Sequence, residues 1–417
     1  MATSSIAVKK INSCRLCASK SLIKLIDFGK VPLGNNLQKS SLKAKKATKY
    51  KLQVFRCSAC AHFQLGHAVS AELLFATNYT YLSGIGLSFI KHIKKYVRWL
   101  EIHCNLRKKS FILDIGSNDG SCLNEFKLHG HKICGIDPAK IPSKIANESG
   151  IYTINNFFNK STSVKIINKF GKADLITSQN VLAHVSDLSL TFKNVKLTLK
   201  DNGFFCFEVG YFVNVLEQGC FDTIYHEHLD YHHAFPLVNH LTKIGFSIVA
   251  ITTNESQGGS LRILSKNDGK GLVSSQAKKF LFFEKKSKVL QKKYLANWSK
   301  KINLSMKILS SHIEKFGKNS TIIGYGAPTK ATLLLKMAKL NSNKISFIVE
   351  DNFLKINKFL PGNGIQIKDT KSIKLNTPDL IILLAWNFAG DLLKKLKKLK
   401  IKSTVIIPLP SLKIIKL

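Results

Sequence analysis

Two Cys-x-x-Cys pairs near the N-terminus, Cys14 with Cys17 and Cys57 with Cys60, are the strongest constraint on the fold of this 417-residue chain. Two residues between thiols form a tight turn that presents both sulfurs to one tetrahedral metal ion. Four thiolates fill the coordination shell of Zn²⁺ and leave no open position for a reacting water. The pattern therefore predicts a structural zinc site in a small, turn-rich domain over residues 1–75.

A second signature is a glycine loop after an apolar strand, in the pattern Asp-x-Gly-x-x-x-Gly from Asp114 through Gly116 to Gly120. In an open α/β sheet, ligands bind where such a loop meets the next helix. Asp137 ends the following strand, where a carboxylate can accept hydrogen bonds from both hydroxyls of a ribose. Asn118 replaces the second glycine of dinucleotide binders, so S-adenosylmethionine (SAM), which has a ribose and no phosphate, fits better than NAD. A βα turn without a ligand is the alternative.

Strand and helix patterns alternate from about residue 80 onward, as in a doubly wound parallel sheet. The predicted strands include Phe111–Ile115, Lys132–Ile136 and Thr321–Ile323. The last of these is followed by a predicted loop at Gly324–Gly326 and a helix from about Pro328. A second α/β unit follows a lysine-rich helical stretch over residues 270–317. We therefore expect a methyltransferase-type Rossmann-like domain over residues 76–268 and a second Rossmann-like domain, with a helical lead-in, over 269–417. The expected cofactor residues are Asp114, Gly116, Asn118, Gly120, Asp137, Pro138 and Asn180.

The formal net charge of +39 raises the question of a nucleic-acid or membrane partner. Nearly all of the excess is lysine, because the chain has only five arginines, and the lysines are spread along its length. Arginine is the preferred residue for bidentate phosphate and base recognition, so we expect no nucleic-acid partner. No apolar run is long enough to span a bilayer and no signal peptide is present, so we expect a cytoplasmic monomer with no membrane partner.

A run of polar residues from Phe221 to Tyr231 is the candidate catalytic segment, because it follows a buried strand and contains Tyr-His-Glu-His. Histidine moves protons near neutral pH, and a neighbouring acid or tyrosine can orient it. Asn180 and His184 follow the neighbouring strand at the same expected edge. Tyr79 and Tyr81 lie at the junction of the first two domains. A polar surface loop and a metal-binding histidine pair are the alternatives for the run.

In these motifs the chain resembles the C-methyltransferases that act on nucleotide-diphosphate keto-sugars in deoxysugar biosynthesis. The resemblance covers nearly the whole chain, and the motifs occur in the same order as in the family. It rests on the two cysteine pairs, Asn78–Tyr81, Gly116–Gly120, Asn180–Val185, Tyr225–His228, Gly258–Arg262, Gly324–Ala327 with Lys330, Leu360–Gly362 and Ala385–Asn387.

The resemblance implies a zinc-binding domain, a class I methyltransferase domain and a C-terminal Rossmann-like domain, and a SAM-dependent reaction on carbon. It implies that His228 is the general base that enolises the keto-sugar. The residues that it places around the sugar are Tyr225, Glu227, His184, Tyr79 and Tyr81. The residues expected to bind the rest of the substrate, including its diphosphate, are Gly324, Gly326, Lys330, Arg262 and Asn387.

Some positions depart from the family pattern, and they bear on the substrate more than on the reaction. Gln257 stands where the family has histidine, Pro328-Thr329 replaces small residues, and His232-His233 replaces an aromatic–serine pair. An O- or N-methyltransferase on another anionic metabolite is one alternative function. A non-catalytic protein that binds nucleotide sugars is another.

Overall fold

The computed structural model describes residues 8–76, 82–85, 87–317, 319–375 and 377–417. They form two compact units, of which the first comprises Met1–Lys24, Phe55–Phe212 and Glu227–Ser287, and the second comprises Leu25–Val54, Val213–His226 and Lys288–Leu417. Within the described ranges, no helix has both the length and the apolar character needed to cross a bilayer. Each unit contains one large α/β sheet.

The N-terminal part of the chain consists of short strands. They are β1 (Val8–Lys10), β2 (Leu22–Pro32), β3 (Lys49–Cys57), β4 (Phe63–Leu65) and β5 (His67–Val69), with helix α1 (Ser41–Lys45) between β2 and β3. Strands β1 and β5 pair antiparallel. Strands β2 and β3 are hydrogen-bonded neighbours, and each runs from one unit into the other.

The first unit is built on a seven-stranded sheet. Its strands are β6 (Phe111–Ile115), β7 (Lys132–Ile136), β8 (Thr153–Ile154), β9 (Ala173–Gln179), β10 (Leu199–Gly210), β12 (Ser247–Asn254) and β13 (Ser260–Lys266), and the short β11 (Asp230–Tyr231) pairs with β4. The helices of this stretch are α2 (Leu87–Cys104), α3 (Ser121–Leu128), α4 (Lys140–Glu148), α5 (Lys160–Phe170), α6 (Leu188–Thr198), α7 (Phe212–Gln218), α8 (Ala234–Lys243) and α9 (Ser275–Lys286). The strand order is β12-β13-β10-β9-β6-β7-β8.

The second unit carries a six-stranded sheet in the order β16-β15-β14-β17-β18-β19. Its strands are β14 (Ile322–Tyr325), β15 (Phe347–Glu350), β16 (Ile367–Asp369), β17 (Leu380–Leu383), β18 (Thr404–Ile407) and β19 (Lys413–Lys416). Its helices are α10 (Lys292–Glu314), α11 (Ala331–Met337), α12 (Ser372–Leu375) and α13 (Ala389–Lys398). Gly324 and Tyr325 therefore end a strand, whereas the sequence pattern assigned them to the loop.

The two sheets share one plan. In each, the first strand is central, the second and third lie to one side, and the fourth and fifth lie to the other, all parallel. An antiparallel strand then follows the fifth, β13 in the first sheet and β19 in the second. This agreement confirms the mixed α/β fold class with two Rossmann-like sheets. The expected domain limits at residues 75 and 268 stay predictions.

The core of the first unit forms where α2 and α3 pack on the sheet. Strand β6 is buried at every position, since apolar side chains on both of its faces lie under helices. Helix α2 contributes Ile93, Tyr96, Val97 and Leu100, which recur at helical spacing and are all almost completely buried. This packing fixes the carboxyl end of β6, where the glycine loop begins.

Candidate active site and metal centre

The four cysteines of the two N-terminal pairs converge on one point. The Sγ atoms of Cys14 and Cys60 are 3.6 Å apart, those of Cys17 and Cys57 are 3.7 Å apart, and all four lie within 4.8 Å of one another. A tetrahedral zinc–thiolate centre with bonds of about 2.3 Å has sulfur–sulfur edges of about 3.8 Å. The donor set and its spacing therefore fit one Zn²⁺ ion.

Both cysteine pairs adopt the same turn, which explains the convergence. Ala18 follows Cys17 with φ 61°, and Ala61 follows Cys60 with φ 67°. The amide of Ala18 donates to the carbonyl of Cys14 at 2.9 Å, and the amide of Ala61 donates to that of Cys57 at 3.0 Å. The remaining five cysteines are all buried, as expected for small apolar side chains outside a metal site.

The glycine loop lies at the carboxyl end of β6 and needs its glycines. Gly116 has φ 71°, and a Cβ atom there would come within 2.2 Å of Val181. Gly120 has φ 78° and precedes the first turn of α3. The missing side chains at these two positions permit the left-handed backbone and the close packing of the turn.

Two buried carboxyl groups stand beside this loop. Asp137 accepts hydrogen bonds from the amides of Asn118 at 2.9 Å and Ala139 at 2.7 Å, and burial raises its pKa to about 6. Asp114 accepts from the hydroxyl of Thr177 at 2.7 Å, and burial raises its pKa to about 7. Both carboxyl groups are buried, so water solvates their ionised forms poorly. A ligand with hydroxyl donors would stabilise the ionised form of Asp137.

The loop also carries buried polar atoms that fit a polar cofactor. Ser117 follows β6 and Ser178 lies in β9, and among the described residues neither buried hydroxyl has a hydrogen-bond partner. The side chains of Asn118 and Asp119 accept from the amides of Ser83 and Gly84, at 2.9 and 2.7 Å. Of the predicted cofactor residues, Pro138 follows Asp137 directly. Asn180 has φ 56° and donates its amide to the carbonyl of Glu208 at 2.8 Å.

Two of the candidate catalytic histidines lie together in the first unit. The rings of His184 and His228 are 4.9 Å apart between centroids. The Nδ1 of His184 lies 2.7 Å from the carbonyl oxygen of Glu227, and a carbonyl can only accept, so this nitrogen carries the proton. Burial lowers the pKa of His184. The amide of Leu229 donates to the carbonyl of Ala183 at 2.7 Å, which ties the two histidine segments together.

The Tyr-His-Glu-His run is divided between the two units after His226. Glu227 and His228 belong to the first unit, whereas Tyr225 and His226 belong to the second, where the ring of His226 contacts Tyr50. A metal site built on the histidine pair has no support, because within the described part of the chain the four cysteines are the single cluster of three or more ligand atoms. Tyr79 and Tyr81 lie outside the described residues.

Arg262 lies in β13 directly opposite Glu208 in β10. Its guanidinium is 2.6 Å from the carboxylate of Glu208 and lies over the rings of Tyr96 and Trp99. Glu208 also contacts the Nε2 of His92 at 2.7 Å. Burial acts to raise the pKa of Glu208, but His92 and Arg262 together hold it below its ordinary value. The arginine expected at the substrate thus has a buried ion-pair partner.

The predicted substrate residues of the second unit surround the end of β14. A Cβ atom at Gly326 would lie 2.4 Å from Ala385, which requires glycine there. The ammonium of Lys330 lies 3.5 Å from the centroid of the Trp386 ring, and the indole of Trp386 donates to Asp222 at 2.6 Å. Burial lowers the pKa of Lys330, and the charge of Asp222 opposes that shift.

Asn387 follows Trp386, and its buried Oδ1 has no hydrogen-bond partner in the part of the chain that the structure describes. It is therefore a candidate contact for a polar ligand.

Sequence reasoning missed several residues that hold these sites together. They are Arg15, His62, His92, Glu208, Asp222 and Asp230. The sequence contains one indication that Arg15 is important, because it is one of only five arginines and lies inside a cysteine pair. Glu208 offered another, as an acid at the end of an apolar strand. The residues that they contact are distant in sequence, so no local sequence pattern predicts these contacts.

Comparisons with known proteins agree with this arrangement. Residues 14–75 match a family model described as a "zinc binding domain", residues 91–251 match "Methyltransferase domain", and residues 255–410 match "C-methyltransferase C-terminal domain". The chain is 29% identical to C-methyltransferase NovU of Streptomyces niveus over 413 residues, which covers 98% of both chains.

Part of the chain is also similar to two solved structures. The crystal structures of magnesium protoporphyrin IX methyltransferase from Synechocystis PCC 6803 with bound SAM and with bound SAH align with 42% and 44% of this chain, and with 78% and 88% of their own chains. Their identities are 15% and 14%, with TM-scores of 0.32 and 0.35. Structural similarity at these TM-scores does not support an assignment of function. The three domain matches and the 29% identity to a C-methyltransferase over nearly the full length show that the chain is a SAM-dependent methyltransferase, with a zinc-binding domain and a domain similar to the C-terminal domain of C-methyltransferases.

Proposed function

We propose that the enzyme methylates a carbon beside the ketone of a nucleotide-diphosphate keto-deoxysugar, with His228 as the general base. The observation that carries the proposal is the contact between the rings of His228 and His184. His184 lies on the loop that follows β9, and a backbone hydrogen bond joins this loop to the segment that carries His228. Ligands of open α/β sheets bind at this edge. The resemblance to keto-sugar C-methyltransferases supplies the substrate class.

The proposed reaction requires the protein to remove one proton from the carbon beside the ketone. A carbon beside a ketone is acidic, because the anion left by deprotonation spreads onto the carbonyl oxygen as an enolate. The imidazole of His228 is proposed to take that proton, and a tyrosine hydroxyl or water is proposed to donate to the developing oxyanion. When bound, SAM would supply an electrophilic methyl group, so that the new carbon–carbon bond forms as the bond from sulfur to the methyl group breaks and S-adenosylhomocysteine leaves. Asp137, Gly116 and Asn180 are proposed to hold this cofactor.

The second unit is proposed to bind the nucleotide diphosphate through Gly324, Gly326, Lys330 and Asn387. The unpartnered Oδ1 of Asn387 and the close approach of backbone at Gly326 support this assignment. The negative charge of Asp222 favours the protonated form of Lys330 against the effect of burial, which supports a positive charge at this site. Arg262 is kept as a candidate substrate contact that acts from within its pair with Glu208.

Mass spectrometry tests the function directly. Purified enzyme and a methyl-labelled donor are incubated with a panel of nucleotide-linked keto-sugars, and the position of any label is determined. A methyl group on carbon supports the proposal, whereas a methyl group on oxygen or nitrogen would identify an O- or N-methyltransferase. Binding without transfer to any member of the panel would favour a non-catalytic protein. Deuterium uptake beside the ketone in heavy water tests the enolisation step separately.

A further inference from the structure

The side chain of Arg15 connects the metal centre to both histidines of the candidate active site. Arg15 lies between Cys14 and Cys17, inside the first cysteine pair. Its Nε donates to the two carboxylate oxygens of Asp230, at 3.0 and 3.1 Å. Its Nη1 donates to the carbonyl of Ser186 at 3.0 Å, and its Nη2 donates to the carbonyl of Val185.

These three partners are the residues next to the two histidines. Val185 and Ser186 directly follow His184, and Asp230 lies two residues after His228. One planar guanidinium therefore bridges the segment that carries His184 and the segment that carries His228. A lysine ammonium could not reproduce this set of contacts, because its donors radiate from a single nitrogen.

The second cysteine pair supports the same carboxylate from the other side. The Nε2 of His62, two residues after Cys60, lies 2.9 Å from Asp230 Oδ1. The amide of Arg15 donates to Gln64 Oε1 at 2.8 Å, and Gln64 Nε2 donates to the carbonyl of Ser13 at 3.1 Å. Asp230 is 1% exposed, so its geometry is set by these protein contacts rather than by water.

We propose that Arg15 is a positioning residue through which the metal-bound cysteine pair holds His184 and His228 in their catalytic arrangement. The inference rests on the proposed function and extends it, because it gives the zinc domain a role in turnover as well as in stability. Residues that orient catalytic or metal-bound groups commonly change activity by about 10- to 100-fold when replaced. Arg15 acts through the histidines and not on the substrate.

The test compares Arg15→Gln with Arg107→Gln, a matched change at an exposed arginine. Zinc content, SAM affinity, kcat and KM are measured for both full-length enzymes. Histidine-labelled protein gives the ring resonances of His184 and His228, assigned through their Asn variants. Arg15→Gln should keep one zinc ion and SAM affinity within about twofold, shift both ring resonances, and lower kcat at least tenfold with little change in KM. Arg107→Gln should resemble wild type.

Unchanged kcat or unchanged ring resonances in zinc-loaded Arg15→Gln would overturn the inference. Loss of zinc from this variant would also overturn it, since Arg15 would then serve the metal site itself. If Arg15→Gln does not fold, Arg15→Lys is measured by the same criteria. A wild-type enzyme that methylates no keto-sugar contradicts the proposed function alone, because the resonances still report whether Arg15 holds the two rings.

Discussion

Glu208 and Arg262 form a buried ion pair across the antiparallel strands β10 and β13, with 2.6 Å between carboxylate oxygen and guanidinium nitrogen. Asn254 also donates to the carboxylate at 3.0 Å, and His92 contacts its other oxygen. The pair therefore joins α2 to three strands of the sheet. Arg262 gains further stability from the rings of Tyr96 and Trp99.

Replacing Glu208 with Gln should destabilise this part of the sheet by about 3 kcal/mol, because it leaves the buried Arg262 cation without its counter-ion. Native-state hydrogen exchange of the β10 and β13 amides gives the local free energy. Glu255→Gln, at an exposed site, should change it by less than about 0.5 kcal/mol. A cost as small as that of the control would show that the pair adds nothing to stability.

Replacing His228 with Asn should lower kcat by about 100-fold or more, because the substitution removes the proposed proton acceptor. SAM affinity should stay within about twofold of wild type, since the cofactor is assigned to other residues. Steady-state kinetics and calorimetric SAM titration measure the two effects. His103→Asn, on the exposed face of α2, is the control. Full turnover in His228→Asn would assign the base to another residue.

SAM affinity should depend on the ionisation of Asp137. Burial raises its pKa to about 6, and ribose hydroxyls donate to the ionised carboxylate, so affinity is present above pH 6 and is lost as the pH falls through 6. Binding at pH 5 should be about tenfold weaker than at pH 7.5. Calorimetry across this range should show a flat, weak profile for Asp137→Asn and a wild-type profile for the exposed Asp201→Asn. An unchanged profile in Asp137→Asn would place the titrating group elsewhere.

The metal site should tolerate a change of metal. Four thiolates leave no coordination position for substrate, so a Co²⁺-substituted enzyme should keep turnover within about twofold of the zinc enzyme. The cobalt spectrum should show tetrahedral thiolate coordination, and this spectrum is lost in Cys57→Ser. Turnover that changes many-fold with metal identity, at equal occupancy and equal fold, would contradict a structural role.

Much of the fold was predictable because its signals are local. The strand predicted at Phe111–Ile115 has those limits in the structure, and so does the strand at Lys132–Ile136. Apolar runs that end in glycine or an acid specify such strands through side chains that are neighbours in sequence. The helix predicted from about Pro328 begins at Ala331 in the structure. Helix ends are harder to predict because they depend on capping contacts.

The sequence by itself determined the four-cysteine cluster, and it predicted the glycine loop and the Tyr-His-Glu-His run as sites, because each pattern consists of particular residue types at short spacing. Only the tertiary structure decided which groups support them. Arg15 meets Asp230, and Glu208 meets Arg262, at sequence separations of 215 and 54 residues. Such pairs depend on strand register and on where loops return, and the energy of a buried charge depends on partners that no local pattern specifies.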